Sequence, residues 1–564
     1  MDLGQILKVK SVNLSLKVRE YIVNFVVILV VIEFGEMRTW RRPKRSEFMK
    51  KVRINQVGYK PSAVKYAVFA DLDADDRSFS VVDETGKSVF EGEIPAGAKS
   101  AMSGEVNAIG DFSALTTVGR YKLVTSKGEE SYEFTIAEDV FDSCLESLVK
   151  MLYLQRCGVE LTEEEAGEYA HPVCHSGLTV INGTDIEIDV TGGWHDAGDY
   201  GRYIVSGAKT VVDLFMAHEL GVAKALDEAK FEVDWFFKMQ DEVTGGVYHK
   251  VTCESFPGFV MPEDETDKLV VCPISNTATG DFAAIMAMAA SIYKDIDSAY
   301  ADRCLQAAKR AYDYLVVHQD DPGFKNPANV VTGEYPDNNC FDEFMWASVE
   351  LYKVTCDEKY FATIESSYKK VDKLTLLGWE DMGGYAVYSA LTCENLAKNH
   401  PDFVEELSAA FFKQIDQIVA NCKANPYRIN RFDNFEWGSN MGVANDGMIL
   451  MMASNIRPND EYKFYAKAML DYLFGVNATD YCFITGEGTN SPMHPHHRPS
   501  GATGKPMPGM LVGGPDNGLH DERAVEALTG KAPAKCYIDH IDSYSTNEIC
   551  VYWNSPLITL MAML

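Results

Sequence analysis

Positive charge is scarce in this sequence of 564 residues, which has 52 Lys and Arg against 83 Asp and Glu and a formal net charge of −31. A surface this acidic repels a polyanion, which argues against nucleic acid as a partner. The chain also has no internal repeat and no low-complexity segment, so a solenoid is not indicated. With 46% hydrophobic and 11% aromatic residues, the composition is that of an ordinary globular protein.

Cysteine is too sparse for a disulfide scaffold. The 13 cysteines are odd in number and include no CxxC pair, and most lie singly inside apolar patterns. This usage favours a reducing compartment, and we predict a cytoplasmic location.

A long apolar run is also missing. Residues 21–32 (YIVNFVVILVVI) are strongly apolar, but a membrane span needs about 20 such residues. No small-x-small cleavage site follows the run, and basic residues flank it on both sides. We interpret residues 1–48 as a leader, or as a segment upstream of a true start at Met49. No stable membrane association is expected, and export by this leader is the alternative.

Two kinds of hydrophobic periodicity divide the rest of the chain. From Val52 to Ile136 apolar and polar residues alternate, with ETGK at 84–87 as a hairpin turn, which predicts a β-sandwich over 50–137. Over 138–564 the period becomes helical. Twelve helices are predicted, at 141–155, 204–220, 225–240, 276–293, 297–317, 340–354, 358–372, 384–398, 402–423, 440–454, 459–474 and 546–564. The long loops at 171–203, 241–275, 321–339 and 475–545 are expected to carry the functional site.

The loop TGGWHDAGDY at 191–200 holds two aspartates three residues apart. Gly198 lies between them and permits a tight turn, so Asp196 and Asp199 can point into one space. Turn capping by the two carboxylates is an equally good interpretation of these ten residues alone.

Four residues around this loop form a candidate metal site: Cys157, Cys174, His175 and His195. Two thiolates and two imidazoles make a closed tetrahedral zinc site, which leaves no open position for water and is therefore structural. Adjacent Cys174 and His175 can reach one metal only in a bend. The alternative is that all four are isolated core residues.

Two further motifs lie towards the C-terminus. HPHHRPS places His494, His496, His497 and Arg498 in one loop, where they could bind sugar hydroxyls, phosphate or a metal. In STNEICVYWNSP, Glu548 is predicted to open the last apolar helix, where a lone glutamate is usually a capping residue.

These motifs in this order resemble glycoside hydrolase family 9, the inverting cellulases and cellodextrinases. GGWHDAGDYGRY is similar to the family's aspartate loop, HPHHRPS to its histidine-arginine loop and STNEICVYWNSP to its acid motif; EWGSN at 436–440 matches a secondary pattern. The region starting INQVGY resembles the immunoglobulin-like module of one branch. The resemblance covers residues 50–564.

The resemblance implies a β-sandwich of immunoglobulin type followed by an (α/α)6 barrel. It implies that Asp199 is the general base, that Asp196 helps to hold the attacking water, and that Glu548 is the general acid. It places His496, Arg498, Trp553 and Trp437 on the substrate, although Trp553 could equally be core. It also implies the structural zinc on Cys157, Cys174, His175 and His195.

The expected activity is inverting hydrolysis of β-1,4-glucosidic bonds in soluble cello-oligosaccharides, because no cellulose-binding module or linker is recognised. Alternatives on the same fold are an endo-β-1,4-glucanase and an exo-β-glucosaminidase. Alternatives of another class are a non-catalytic glycan-binding protein and a zinc hydrolase.

Calcium is common among the proteins of this resemblance. Asp337, Asp342 and Glu343 in PDNNCFDEF offer oxygen ligands that suit it. Turn capping explains these acids equally well, so calcium ligands are left unassigned.

Overall fold

The computed structural model describes residues 49–564, and the leader predicted at 1–48 lies outside the described residues. The chain first forms a β-sandwich, as predicted. One sheet contains, in spatial order, Val52–Arg53, Tyr66–Ala70, Val106–Asp111 and Ala98–Lys99. The other contains Gly58–Tyr59, Phe134–Ile136, Gly119–Thr125, Ser78–Asp83 and Ser88–Glu93. Buried aromatic rings, among them Tyr59, Phe79 and Phe134, fill the space between the sheets.

The predicted hairpin turn joins Ser78–Asp83 to Ser88–Glu93. Oδ1 of Asp83 accepts hydrogen bonds from the backbone N–H groups of Thr85 and Lys87. Gly86 completes the turn with φ of 82°, a conformation that glycine adopts without strain.

Twelve helices of nine or more residues follow within the described residues. They are Asp142–Leu154, Ile204–Glu219, Ala225–Met239, Asn276–Tyr293, Ser298–His318, Phe341–Thr355, Glu358–Tyr368, Gly383–Leu391, Pro401–Ala424, Ser439–Ile456, Asp460–Leu473 and Val551–Met563. Two predicted helices differ from the structure. The stretch 384–398 breaks after Leu391 and continues as a separate short helix, Glu394–Asn399. The last helix begins at Val551 instead of 546, which leaves Glu548 outside it.

Six helices form a closed inner ring in which each contacts the next. In order around the ring they are Ile204–Glu219, Asn276–Tyr293, Phe341–Thr355, Gly383–Leu391, Ser439–Ile456 and Val551–Met563. The first is buried on every side from Ile204 to Ala217, whereas the outer helix Ser298–His318 buries a single stripe. The inner helix thus lies inside the core, whereas the outer helix turns one face towards it. The (α/α)6 barrel is confirmed. No helix of residues 49–564 is both long and apolar enough to cross a membrane.

A β-sheet lies in two of the segments expected to be loops. Its strands, in spatial order, are Glu187–Asp189, Leu178–Ile181, Leu269–Val271, Lys250–Cys253 and Arg202–Tyr203, and a second pair joins Val247–Tyr248 to Ile274–Ser275. Strands of two to four residues are too short for a period-two pattern to reveal. The sheet gives these segments a fixed frame.

The sandwich packs directly on the barrel. Nδ2 of Asn55 donates a 2.8 Å hydrogen bond to Asp471, and Nη1 of Arg53 lies 3.5 Å from Oδ1 of Asp480. Tyr66 belongs to the same buried hydrophobic cluster as the barrel helices. The two parts therefore share a core.

Candidate active site

A cleft with a cavity volume of about 1000 Å³ opens at the N-terminal ends of the inner helices. All four loops predicted to carry the site contribute to its walls. Tyr203, Tyr335, Trp379, Trp437 and Glu548 line it, and each precedes an inner helix in the chain. The cleft is therefore assembled from the connections into the inner ring.

The aspartate loop lies at the base of this cleft. Asp196 and Asp199 both line the cavity, with 2% and 7% of their surface exposed. The backbone N–H of Gly201 donates to Oδ2 of Asp199 at 3.0 Å. Gly198 is required for close approach, because a Cβ there would lie 2.2 Å from the backbone oxygen of His496. The predicted convergence of the two aspartates is what the structure shows.

Backbone hydrogen bonds join the three motif loops into one unit. The N–H of Arg498 donates to the oxygen of Gly198 at 2.9 Å, and the N–H of His496 donates to the oxygen of Asn547 at 2.9 Å. His496 and Glu548 form a parallel β-bridge. Segments that are three hundred residues apart in sequence are thus fixed side by side.

Glu548 lies in extended backbone and does not open a helix, which corrects the sequence prediction. A short helix, Tyr544–Asn547, ends just before it, with φ of −70° and ψ of 166° at Glu548. The last helix starts three residues later and has no side-chain cap. Glu548 is therefore free of a capping role and lines the cleft.

Burial and mutual repulsion set the protonation of the three carboxyl groups. Desolvation, with the charge of Asp199 next in importance, raises the pKa of Glu548 well above its usual range. Burial raises the pKa of Asp196 to about 7. Burial also raises the pKa of Asp199, but the Arg498 guanidinium and the Gly201 N–H act in the opposite direction. The environment thus holds a proton more firmly on Glu548 than on Asp199.

His496 and Arg498 form a defined pair on the cleft wall. Nδ1 of His496 lies 2.5 Å from the backbone oxygen of Ile541, so Nδ1 carries the proton. Nε2 then accepts from Nη1 of Arg498 at 3.1 Å. Burial lowers the pKa of His496 to about 4, which keeps the ring neutral near neutral pH.

The other two histidines of this motif lie apart from the pair. His497 is buried, with its ring nitrogens on Ser500 and Gln155. His494 is fixed through its backbone N–H by Asp539. The motif does not gather its imidazoles around a metal.

Tyr335 is a site residue that the sequence does not single out. Its hydroxyl donates a 2.5 Å hydrogen bond to Oδ2 of Asp196. The ring packs against Tyr203 and Trp379, with centroids 4.6 and 4.9 Å away. The only sequence signal for it is its place in the loop 321–339.

Aromatic rings line the rest of the cleft. Trp553 lines the cavity but is only 3% exposed, and its ring packs against Gly438 and Gly513. Trp437 is 44% exposed and lies 5.2 Å from the ring of Tyr544. Phe256, also missed from the sequence, is an exposed ring over which the Arg498 guanidinium lies. Trp437 and Phe256 therefore present exposed apolar faces to the cleft.

The four predicted metal ligands meet behind the aspartate loop. One ligand atom each from Cys157, Cys174, His175 and His195 lies within 4.8 Å of all the others, the one such set among the described residues. His175 has φ of 45°, the bend that adjacent ligands require. Buried sulfur and nitrogen donors in this number suit zinc.

Glu265 supports this cluster from outside. Its Oε2 lies 2.9 Å from Nε2 of His175, which leaves Nδ1 facing Cys157. A carboxylate on the outer nitrogen fixes the tautomer and orientation of a ligand imidazole. The sequence offers no signal for this contact across 90 residues.

Asp337, Asp342 and Glu343 lie together with Asp281 in a buried acidic cluster. Met382 N–H donates to Oδ2 of Asp342, so capping explains that residue. Glu343 and Asp281 have no hydrogen-bond partner among the described residues for either carboxylate oxygen. Burial and the neighbouring acids raise the pKa of both groups well above the usual range. The oxygen donors suit a hard cation such as calcium, but they do not converge as the Cys/His set does.

The fold and the carboxylate site define a glycoside hydrolase with an immunoglobulin-like module before an (α/α)6 barrel. The family model described as glycosyl hydrolase family 9 matches residues 141–561, and the one described as cellulase N-terminal ig-like domain matches residues 47–130. The chain belongs to glycosyl hydrolase family 9.

A cellodextrinase and an endoglucanase are among the known proteins that resemble this chain along most of its length. A cellodextrinase of Butyrivibrio fibrisolvens is 38% identical over 549 residues, covering 90% of this chain and 98% of its own. Endoglucanase D of Acetivibrio thermocellus is 33% identical over 544 residues, covering 92% and 83%.

Solved structures share the fold. A mutant of a thermostable endoglucanase from Alicyclobacillus acidocaldarius has a TM-score of 0.86 and 37% identity, covering 91% of this chain and 99% of its own. A Zn-binding triple mutant of a family 9 endoglucanase has a TM-score of 0.84 and 30% identity, covering 89% and 99%.

Proposed function

We propose that this enzyme hydrolyses β-1,4-glucosidic bonds of soluble cello-oligosaccharides with inversion at the anomeric carbon. The observation that carries the proposal is that Asp196, Asp199 and Glu548 line one cleft on loops that hydrogen-bond to each other. Inverting hydrolysis needs a protonated carboxyl at the leaving oxygen and a carboxylate that activates water on the opposite face of the ring.

The protonation states assign the roles. Glu548, kept protonated by burial and by Asp199, donates its proton to the glycosidic oxygen as general acid. Asp199, which Arg498 keeps nearer to ionisation, takes a proton from the attacking water. Asp196, whose Oδ2 accepts from the Tyr335 hydroxyl, lines the cleft beside Asp199 and helps to hold that water.

The remaining lining residues suit a glucan chain. Arg498, held by Nε2 of His496, stands beside the three carboxyl groups and offers donors to the hydroxyls of the sugar next to the bond cut, while the His496 ring lines the cleft next to it. Trp553 and Trp437 offer apolar faces to the sugar rings.

Zinc is proposed as a structural ion held by Cys157, Cys174, His175 and His195. A family 9 endoglucanase mutant that binds Zn has the same fold, which supports the proposal. When bound, zinc supplies a rigid cross-link to the loop that continues from His195 into Asp196. With all four ligand positions taken by protein, the metal has no part in the chemistry, contrary to a zinc hydrolase.

Calcium in the acidic cluster stays a prediction. The cytoplasmic location also stays a prediction, which the 13 free cysteines favour.

An endo-β-1,4-glucanase is the second candidate, favoured by the exposed Trp437 and Phe256 and by the relatives of that name. Product analysis on cellohexaose and carboxymethyl-cellulose, with NMR of the first anomer formed, separates the two. We expect rapid cleavage of the oligomer to α-anomers with little loss of polymer viscosity. Rapid viscosity loss would identify an endoglucanase, and β-anomers would contradict inversion. Without cleavage of either, amino-sugar oligomers and then simple glycan binding become the functions to assay.

A further inference from the structure

Lys250 is a buried lysine beside the cleft that takes no part in the chemistry proposed above. It opens the strand Lys250–Cys253, pairs with Tyr203 and is 0% exposed. Within the described residues it forms no ion pair with a carboxylate; its side-chain hydrogen bonds go to neutral oxygens. Because burying an unpaired cation is costly, its neighbours must use all of its donors.

The ammonium group is directed at one turn of the cleft wall, residues 332–336. Nζ donates to the backbone oxygen of Gly333 at 2.5 Å and to Oγ1 of Thr332 at 3.2 Å. It also lies 5.3 Å from the ring centroid of Tyr203, within range of a cation–π contact. Nζ also lies 5.9 Å from the ring centroid of Phe324, so two hydrogen bonds and two ring contacts surround its three N–H groups.

This turn carries Tyr335 in an unfavourable backbone conformation. Tyr335 has φ of 50°, which a bulky residue adopts only when its surroundings impose it. In that conformation its hydroxyl reaches Oδ2 of Asp196. On the N-terminal side of Tyr335, the Lys250 contacts at 332 and 333 act together with hydrogen bonds that Asn326 donates to Glu334 and to the backbone oxygen of Thr332.

We infer that Lys250 is a positioning residue of the active site, which holds the 332–336 turn so that the Tyr335 hydroxyl meets Asp196. The inference rests on the proposed function, in which Asp196 orients the attacking water. Lys250 does not line the cleft, and its effect passes entirely through Tyr335.

The protonated form of Lys250 is the one that performs this role. Burial lowers the pKa of Lys250 to about 8, while Cys272, Asp199 and Glu334 act to raise it. Cys272 lies just after the adjoining strand Leu269–Val271, Asp199 in the aspartate loop and Glu334 in the turn, and Tyr203 faces Lys250 from the paired strand. A neutral amine loses one donor and its attraction to the Tyr203 ring, so the turn loosens as pH rises through about 8.

Global unfolding has the opposite pH dependence for this group. Between the folded pKa of about 8 and the ordinary value of 10.5, the unfolded chain binds the proton and the folded chain does not. Stability contributed by Lys250 therefore increases with pH in this window. A loss of activity above pH 8 through Lys250 is thus separable from denaturation.

The test measures kcat and KM on cellopentaose from pH 5 to 9.5 for the wild type, Lys250→Met, Tyr335→Phe and the double variant. We expect Lys250→Met to lower kcat by roughly 10- to 100-fold, the scale of a misplaced catalytic group, with KM nearly unchanged. In the Tyr335→Phe background the same substitution should add almost nothing, because coupled residues are not additive. Tyr335→Phe itself should lose the alkaline step near pH 8.

Lys65→Met is the matched control. Lys65 is also 0% exposed and donates to backbone oxygens, those of Pro61 and Ala63 at 2.7 Å, but it lies in the sandwich. We expect a lower Tm and an unchanged pH profile of kcat.

Three results would overturn the inference while leaving the proposed function intact: wild-type kinetics in Lys250→Met, additive losses in the double variant, or an alkaline step unaltered in Tyr335→Phe. An inactive wild type would instead contradict the proposed function. If Lys250→Met does not fold, the inference is tested with two other variants, Lys250→Arg and Tyr335→Phe. The charge of the arginine persists at all these pH values. Lys250→Arg should move the alkaline step upwards.

Discussion

The hydroxyl of Tyr335 donates a 2.5 Å hydrogen bond to Oδ2 of Asp196, across 139 residues of sequence. This bond fixes the Asp196 carboxyl group and lowers its pKa against the effect of burial. A residue from another loop therefore sets both the orientation and the pKa of the Asp196 carboxyl group.

Tyr335→Phe should lower kcat by about 10-fold or more, the usual scale for one hydrogen bond to a charged group, with little change in KM. The pKa of Asp196 should rise from about 7, so the acidic limb of the kcat profile should move to higher pH. Tyr462→Phe removes a similar tyrosine–aspartate bond, to Asp416, on the outer ring and should leave the profile unchanged. An acidic limb that stays in place would show that the bond has no electrostatic role.

Glu548→Gln should abolish hydrolysis, with a loss of about 10²- to 10⁴-fold or greater, because the amide cannot protonate the leaving oxygen. Folding and oligosaccharide binding should persist, since Glu548 caps no helix. Activity and calorimetric binding of cellotetraose measure the two effects. A variant that binds and still cleaves would exclude Glu548 as the acid.

Arg498→Gln should move both limbs of the kcat/KM profile to higher pH. The guanidinium lowers the pKa of Asp199 and of Glu548, so its removal lets both values rise. Arg523→Gln, at an exposed ion pair with Glu526, is the control that keeps the profile. If kcat/KM falls at every pH while both limbs stay at the same pH, Arg498 acts in substrate binding alone.

Cys174→Ser should lower Tm and zinc content together. Glu265→Gln should retain the four ligands and weaken zinc affinity by about 10- to 100-fold, as expected when the partner of a ligand histidine is lost. Metal analysis after dialysis against graded chelator measures this, with Glu164→Gln on the exposed surface as control. Activity lost from Cys174→Ser without any change in Tm would contradict a structural zinc.

The acidic cluster should make stability fall as pH rises. With chelator present, Asp281 and Glu343 have raised pKa values, so the folded chain keeps protons that the unfolded chain releases above about pH 4.5. The Tm should therefore decrease from pH 5 to 8, and Glu343→Gln should flatten the curve. A flat curve of Tm against pH in the wild type would contradict this prediction.

Added calcium tests the calcium prediction at the same cluster. A rise in Tm in the wild type that is absent from Glu343→Gln would support it.

Local pattern was enough to predict the helices, the sandwich and the motif loops, whereas the arrangement of the helices in two rings came from the family resemblance. The outer helix Ser298–His318, for example, has its buried residues at helical spacing along one stripe. The close approach of Gly198 to His496 is likewise consistent with the glycine between the two aspartates.

Contacts between distant segments were not predictable in this way. Tyr335 and Lys250 act through pairing across the small sheet and the loop 321–339, and such contacts leave no spacing in the sequence. The helix predicted from 546 was wrong because Ile549, Cys550 and Val551 continue an apolar pattern, while the bridge between His496 and Glu548 imposes extended backbone there.

The buried contacts of the sandwich define the smallest piece of this enzyme that can be handled alone. Asp480 is 1% exposed; the side chain of Arg53, in the first strand, lies beside it, and the backbone N–H of Lys50 donates to it. A fragment cut after the sandwich would keep every motif of the cleft yet lose both partners of Asp480 and uncover the apolar barrel surface against which Tyr66 packs. For expression, grafting or module exchange, residues 50–564 are one indivisible part.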